Sequence, residues 1–465
     1  MNFRDFGKYN QFKEQFAGMS PEMKEQMMKM AKEQMKARLN AFVQKWLSQP
    51  VLIVVALFLG ALVGALTAFF GQVLLAVSAL RDAHSIYWIP GLALIGIAIV
   101  LGYKKFGKGT ERGMDMVFGV AHGKESEIPL RMIPMVAVST WLTHLFGGSA
   151  GREGVAIQIG ATLGHNISKK IHVENAGKVL LVAGMAAGFA GLFQTPLAAI
   201  ALALEVLLVG HLELAALLPA AVAAFTAYKV SEMLGLEKFS VDFHTLFPDW
   251  NVAGLLWNEN GFDIHFVLKL ALLGALFGIV GGGFAKLLSL AKKFAANKLP
   301  NPFKRIAFVG IGISLLLLVF WQGRYAGLGT NLIDICFASQ QAADVNAAGA
   351  TGAGIFACDW ILKFVLTIAT VAVGFKGGEV TPLFAIGATF GAWVAAMVGV
   401  PLPLAAALGY AAVFGGATNT LFAPIFIGAE IFGFDTLPAF FIVCLVAFAC
   451  NGGQSIYAQK KLRIK

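Results

Sequence analysis

Residues 151–164 read Gly-Arg-Glu-Gly-Val-Ala-Ile-Gln-Ile-Gly-Ala-Thr-Leu-Gly, and residues 378–391 read Gly-Glu-Val-Thr-Pro-Leu-Phe-Ala-Ile-Gly-Ala-Thr-Phe-Gly. The string Ile-Gly-Ala-Thr-x-Gly recurs at an offset of 227 residues. Some thirty residues further on, Gly188 and Pro196 recur as Gly416 and Pro424, an offset of 228, and a glutamate follows each block, Glu205 and Glu430. Two block matches at nearly one offset imply an internal structural repeat. In transporters such repeats place the substrate site where the two copies meet.

The surroundings of these blocks are apolar. Of 465 residues, 58% are hydrophobic and 13% charged. A soluble domain carries about 45–50% apolar and about 25% charged residues. So few charges cannot cover a water-facing surface of this size, which excludes a soluble enzyme, a disordered chain and a nucleic-acid binder as whole-chain readings. Apolar stretches at 50–80, 86–102, 132–147, 178–209, 213–234, 263–293 and 305–321 are followed by 355–375, 380–399, 402–417, 420–433 and 437–450. Several are too short to span a bilayer of about 30 Å cleanly, or are cut by Gly and Pro. The 53 glycines fit that pattern, since glycine serves both close helix packing and helices broken at membrane depth. The sequence therefore predicts an all-α polytopic membrane protein of two inverted repeats with broken and re-entrant helices.

Four segments are predicted. Residues 1–48 form a cytoplasmic amphipathic prelude, with Ser20 as helix cap and Pro21 in the first helical position. Residues 49–235 form the first transmembrane repeat and 263–465 the second, with a short basic tail. Residues 236–262 form an extramembrane loop, flagged by Asp242, His244, Asp249, Asn251, Asn258 and Glu259, with Asp263 at its edge. The net charge is +10, and residues 1–50 carry nine Lys/Arg against five Asp/Glu. Four of the last six residues are basic, so both ends are placed in the cytoplasm of a multi-pass inner-membrane protein. No short basic region followed by an apolar core opens the chain, so no cleavable leader is expected. The four cysteines, Cys336, Cys358, Cys444 and Cys450, show neither a disulfide framework nor metal spacing. They read as buried structural thiols, and no metal or cofactor is expected.

The residues that could carry chemistry lie in the two repeated blocks. Glu153 is an ionisable group between glycines at the start of an apolar helix, and a carboxylate at membrane depth is a functional candidate by default. It could also complement the helix dipole or pair with Arg152. A glycine-rich helix N-terminus offers free N–H groups to a carboxylate or a small anion alike. A glutamate that leaves such a site when protonated would link anion movement to proton movement. Gly147-Gly148-Ser149-Ala150-Gly151 matches the nucleophile-elbow pattern, but its flanks are membrane helices rather than strand–turn–helix, so an intramembrane hydrolase is declined. Phosphate-loop motifs are absent as well.

The block Gly151-Arg152-Glu153-Gly154 with Ala156-x-Gln158 resembles the gating-glutamate motif of the CLC family of chloride channels and proton-coupled transporters. Gly327-Leu328-Gly329-Thr330-Asn331-Leu332-Ile333 resembles a family segment of the second half. Gly377-Gly378-Glu379-Val380-Thr381-Pro382 stands where the family has an anion-coordinating loop. Tyr457 in Gly452-Gly453-Gln454-Ser455-Ile456-Tyr457 stands where it has a central tyrosine. Where the family's Gly-Ser-Gly-Ile-Pro loop should fall, the chain reads Glu111-Arg112-Gly113-Met114-Asp115, without a serine. The inner proton-relay glutamate is missing, with Val at position 206. These departures resemble the fluoride-exporting branch.

That resemblance implies a homodimer with one pore per subunit, in the lipid bilayer, exporting fluoride in exchange for protons and performing no enzymatic reaction. The alternative is a chloride or nitrate/proton antiporter or a passive anion channel. Glu153 is implied as the moving gate and Glu379 in proton and ion coupling. Met114, Gly151, Arg152, Gly154, Val380, Thr381 and Tyr457 are implied in binding the anion. Each has a plainer alternative: packing for Met114, helix capping for Thr381, an interfacial belt for Tyr457, a dipole charge for Glu379. Glu205 and Glu430 read as structural, hydrogen-bonding near helix ends.

Overall fold

The computed structural model describes residues 20–241, 243, 254, 256–258, 261–320, 323–337 and 354–461. The first half contributes α1 (Pro21–Ala83), α2 (Leu92–Gly102), α3 (Met114–Ala121), α4 (Met132–Leu145), α5 (Glu153–Ser168), α6 (Ala176–Phe193), α7 (Pro196–Glu205) and α8 (Leu217–Met233). The second contributes α9 (Ile264–Lys298), α10 (Pro302–Val319), α11 (Thr330–Phe337), α12 (Asp359–Val373), α13 (Val380–Val398), α14 (Leu402–Thr418), α15 (Phe422–Phe432) and α16 (Leu437–Cys450). The halves match element for element. α5 packs on α6 as α13 packs on α14, and α1 packs on α8 as α9 packs on α16.

Two reciprocal contacts show how the copies are related. Gly151 and its counterpart Gly378 form an antiparallel bridge, each amide donating to the other's carbonyl at 2.5 and 2.7 Å. Glu205, at the end of α7, accepts from Leu421, Phe422 and Ala423 N–H at the start of α15 (3.0, 3.1 and 2.7 Å). Glu430, near the end of α15, accepts from Leu197 and Ala198 N–H at the start of α7 (3.0 and 2.9 Å). Each half thus caps a helix of the other, satisfying amides that a helix start leaves without partners. Such an exchange requires a pseudo-two-fold axis, the relation of inverted repeats. It is also the helix-end role expected for both glutamates.

Among the described residues, seven helices are long and apolar enough to cross a membrane, the first Ser48–Ala83 and the last Val380–Val398. Others, such as α4 and α7, have only 14 and 10 residues, at most about 21 and 15 Å of helix. Their ends therefore fall inside the protein, as expected of broken helices. The predicted apolar run 178–209 is divided. Gln194 takes a left-handed conformation (φ 62°) that ends α6, and Pro196 opens α7. Ser20 caps α1 through its hydroxyl, and α1 then continues through Pro50 without a break to Ala83.

Close packing within each half rests on glycine. A Cβ on Gly160 would lie 1.9 Å from the Gly184 carbonyl oxygen, and one on its repeat counterpart Gly387 2.0 Å from that of Gly409. Gly164 and Gly391 meet the Leu180 and Ala405 carbonyls in the same way, at 2.0 and 2.1 Å. Inside this frame a column of rings, Phe193, Phe384, Tyr410 and Phe432, runs behind the repeat interface, with Phe384 stacked on Tyr410 at 4.2 Å.

Two expectations change. Cys336 and Cys444 are buried, but Cys358 is half-buried and Cys450 exposed, because Cys450 ends α16 and turns outward. Asp242, His244, Asp249, Asn251 and Glu259 of the predicted loop lie outside the described residues, as do residues 1–19 and 462–465. Of that loop, Trp257–Asn258 pairs antiparallel with Gly261–Phe262, and Asp263 caps α9 through the Phe266 amide.

Candidate functional site

The Gly151–Gly378 bridge brings the N-termini of α5 and α13 together at the centre of the molecule. Each glycine stands two residues before its helix, with Arg152 and Glu379 as the N-caps, and the amides of Gly151 and Gly378 are committed across the bridge. The first turn of each helix is left to supply donors. Glu153 takes them. Its carboxylate is fully buried and accepts the Thr381 hydroxyl at 2.6 and 2.5 Å. It also accepts the Thr381 and Arg152 amides, both at 3.2 Å. The Arg152 guanidinium stands 3.7 Å away, and its Nε and Nη1 are buried without hydrogen-bond partners among the described residues. Gly151, Arg152, Glu153, Gly154, Val380 and Thr381 therefore form one cluster. A Cβ on Gly154 would touch the Gly378 Cα at 3.4 Å, so the two chains pass in van der Waals contact.

A second cluster surrounds the start of α3. Gly113 caps the helix in a positive-φ conformation (53°), and Met114 follows, half-buried. Tyr457 is buried, stacks on Phe118 of α3 at 5.6 Å, and its hydroxyl has no partner among the described residues. The segment carrying it is held by both halves. Leu208–Val209 pairs in parallel with Lys460–Lys461, while Ser455 and Gln459 donate to the Thr418 carbonyl at 2.9 Å each. Met116, two residues on, is buried, whereas Met114 takes the first helical position, beside the cap.

Gln158 joins the two clusters. It sits five residues beyond Glu153 on α5, a rise of about 7.5 Å. Its buried Oε1 has no partner among the described residues and lies 3.1 Å from where a Gly113 Cβ would stand. It belongs to the motif that begins at Gly151, yet the sequence reading does not single it out as a site residue. The signal is there, since a polar amide in an apolar helix little more than a turn past an ionisable residue needs a reason. Glu379 is set apart from the Glu153 carboxylate. It caps α13, and its carboxylate faces Lys292 of α9 at 3.9 Å.

Behind the bridge lies a buried cationic support that sequence reasoning does not find. Lys363, fully buried on α12, donates to the carbonyls of Tyr325 and Gly327 at 3.2 and 2.7 Å. The same Gly327 carbonyl accepts the Ala150 amide at 3.2 Å. Arg81 donates to the His144 carbonyl at 2.9 Å, and both His144 ring nitrogens lie 2.9 Å from carbonyl oxygens, of Thr140 and Ala150. Lys363 and Arg81 are 282 positions apart, so no local pattern could pair them. Ser149 bonds the hydroxyl of Thr367 at 2.9 Å, and its amide donates to the hydroxyl of Thr370 at 3.2 Å. Among the described residues no cluster of His, Cys, Asp and Glu could hold a metal.

The arrangement is a buried cluster of hydroxyl, amide and guanidinium donors around a carboxylate. Any small anion would meet the same donors if that carboxylate left. Comparison with known proteins agrees in kind. Residues 95–452 match the family described as voltage gated chloride channel. A chloride/fluoride channel protein of Pseudomonas syringae pv. tomato is 32% identical over 430 residues, covering 90% of this chain and 87% of that one. The H(+)/Cl(-) exchange transporter ClcA of Vibrio cholerae is 25% identical over 379 residues, covering 76% and 74%. The crystal structure of a CLC-type fluoride/proton antiporter superimposes with a TM-score of 0.81 at 47% identity, covering 90% of this chain and 99% of that one. A slow cyanobacterial Cl-/H+ antiporter shares the fold, with a TM-score of 0.68 at 18% identity and coverage of 87% and 96%.

Proposed function

The chain belongs to the voltage-gated chloride channel (CLC) family, and from that membership we propose that it exports fluoride in exchange for protons, with Glu153 as the moving gate. The observation that carries this is the Glu153 carboxylate seated on the Thr381 hydroxyl and amide. A carboxylate oxygen and a fluoride ion ask for the same donors, so only one can hold them. Protonating Glu153 removes its charge and weakens its hold, because hydrogen bonds to a charged group are worth about 1.5–3 kcal/mol and those to a neutral one about half that. The protonated side chain swings out, fluoride takes the donors, and the proton leaves on the opposite side before the carboxylate returns.

Fluoride must lose a tight hydration shell, and burying an ion without replacing its donors is prohibitive. Thr381, the two helix starts and the unpartnered Tyr457 hydroxyl supply replacements. Met114 at the start of α3 leaves that cap to backbone amides, and Val380 closes the wall. Glu379, facing Lys292, serves proton and ion coupling in place of an inner glutamate. We read residues 49–235 and 263–465 as the two membrane repeats, 236–262 as the loop between them, and 1–48 as a cytoplasmic prelude. The protein works as a homodimer in the inner membrane with both termini in the cytoplasm, with no cofactor and no enzymatic step.

Reconstitution in liposomes under a fluoride gradient tests this. Fluoride efflux should draw protons inward, and chloride should move far more slowly. Equal chloride and fluoride flux sinks the fluoride reading. Fluoride flux without proton movement favours a passive channel.

A further inference from the structure

The ends of α2 and α12 and the start of α10 enclose a cavity of about 900 Å³. A water molecule takes about 30 Å³ of liquid volume, so the cavity is far larger than the transported ion needs. Its walls divide by chemistry. Ile99, Val100, Phe303 and Val373 form an apolar side, and Lys104, Lys108, Arg305 and Lys376 a cationic one that outnumbers the single lining carboxylate, Glu111. Among the described residues none of these four cations forms an ion pair. Lys376 donates instead to the Glu111 carbonyl at 2.7 Å, and Arg305 to that of Val373 at 3.3 Å. Lys104 and Lys108 are exposed. On the same helices and the turn after α2, Leu101, Phe106, Phe308 and Ile311 expose large apolar side chains. One further feature is costly. Lys108 takes a left-handed conformation (φ 45°, ψ 54°) that glycine would adopt without strain.

We propose that this cavity holds the phosphate headgroup of an anionic phospholipid, with its glycerol and upper acyl carbons along the apolar wall. Cation-lined pockets between membrane helices suit such headgroups. The site also touches the transport machinery. Lys376 lies two residues before Gly378, and its hydrogen bond to Glu111 ties that loop to the turn leading into Gly113 and Met114. A phosphate that engages Lys376 acts on both loops framing the anion path, so headgroup occupancy tunes fluoride transport. This last step rests on the transport reading above; the binding itself does not.

The test uses the full-length protein, delipidated and titrated with phosphatidylglycerol or phosphatidylcholine under native mass spectrometry. Phosphatidylglycerol should be retained over phosphatidylcholine. Lys104→Gln with Lys108→Gly should weaken that retention by about fivefold for each charge removed, with phosphatidylcholine unchanged. Lys108→Gly alone relieves backbone strain, so its fivefold loss cannot come from misfolding. Equal retention by wild type and variants overturns the site. Inorganic phosphate that displaces phosphatidylglycerol at equal concentration overturns the lipid as its source. In vesicles, wild-type fluoride efflux should be severalfold faster with phosphatidylglycerol than without, and the double variant should show one rate in both. A wild type indifferent to headgroup overturns the link to transport. Charge-dependent retention in a protein that moves no fluoride supports the site and sinks the transport reading instead.

Discussion

At Thr381 one hydroxyl and one amide meet both oxygens of the Glu153 carboxylate. Thr381→Val keeps the shape and removes the hydroxyl. A charge-assisted bond of about 1.5–3 kcal/mol then disappears from the anion complex. Half-saturation for fluoride should rise roughly 10- to 150-fold, read from the concentration dependence of flux. Tyr457 differs in one respect: its hydroxyl has no partner among the described residues. Tyr457→Phe should leave the unfolding temperature in detergent unchanged yet raise half-saturation for fluoride. A large loss of stability would show that the hydroxyl serves the fold. Glu153→Gln keeps the volume and cannot carry the proton. Proton uptake should vanish while some fluoride flux survives, and the assigned role is wrong if coupling persists.

Helices in this molecule are held by features that can be tested one at a time. At Gly160 a methyl group would stand 1.9 Å from the Gly184 carbonyl, whereas at Gly283 it would meet nothing within 4 Å. Gly160→Ala should force α5 from α6 and cost about 1–3 kcal/mol or more, in the usual range for overpacking. Gly283→Ala should be neutral or stabilising, since alanine is the better helix former by about 1 kcal/mol. Equal unfolding temperatures for the two variants would count against the packing account. Element boundaries are only partly legible in the sequence. The repeated glycine blocks are clear because they are local strings at one offset. The break at Gln194 is not, because a glutamine in αL inside an apolar run carries no marker until Pro196. Pro50 misleads in the opposite direction: α1 gives up one hydrogen bond there and continues.

As a whole the molecule couples its two halves through two kinds of contact, the central bridge and the exchanged glutamate caps. The caps are far from one another in sequence and equivalent by the repeat. Glu205→Ala and Glu430→Ala should each leave buried helix amides without acceptors, at about 1–3 kcal/mol apiece. Transport in the intact protein should quicken as pH falls, since protonation is what frees Glu153, and Glu153→Gln should flatten that profile. Residues 151–154 and 378–381 are legible as a site in the amino-acid sequence alone, because a glycine-flanked carboxylate at membrane depth is too costly to keep without a use. The supporting cations Lys363 and Arg81 are not, since each bonds a carbonyl distant in sequence, Gly327 for Lys363 and His144 for Arg81.

The Gly151–Gly378 bridge joins two residues that are each other's counterpart. In an ancestor assembled from two identical copies, whatever followed that glycine on one side followed it on the other. An ionised carboxylate in both places would have set like charges against each other. The present chain has Glu153 in one copy and, by the same offset, Val380 in the other; Gly154 corresponds to Thr381. The two repeats offer equivalent helix starts, and the residues that differ between them at these few positions make one side the occupant and the other the receiver.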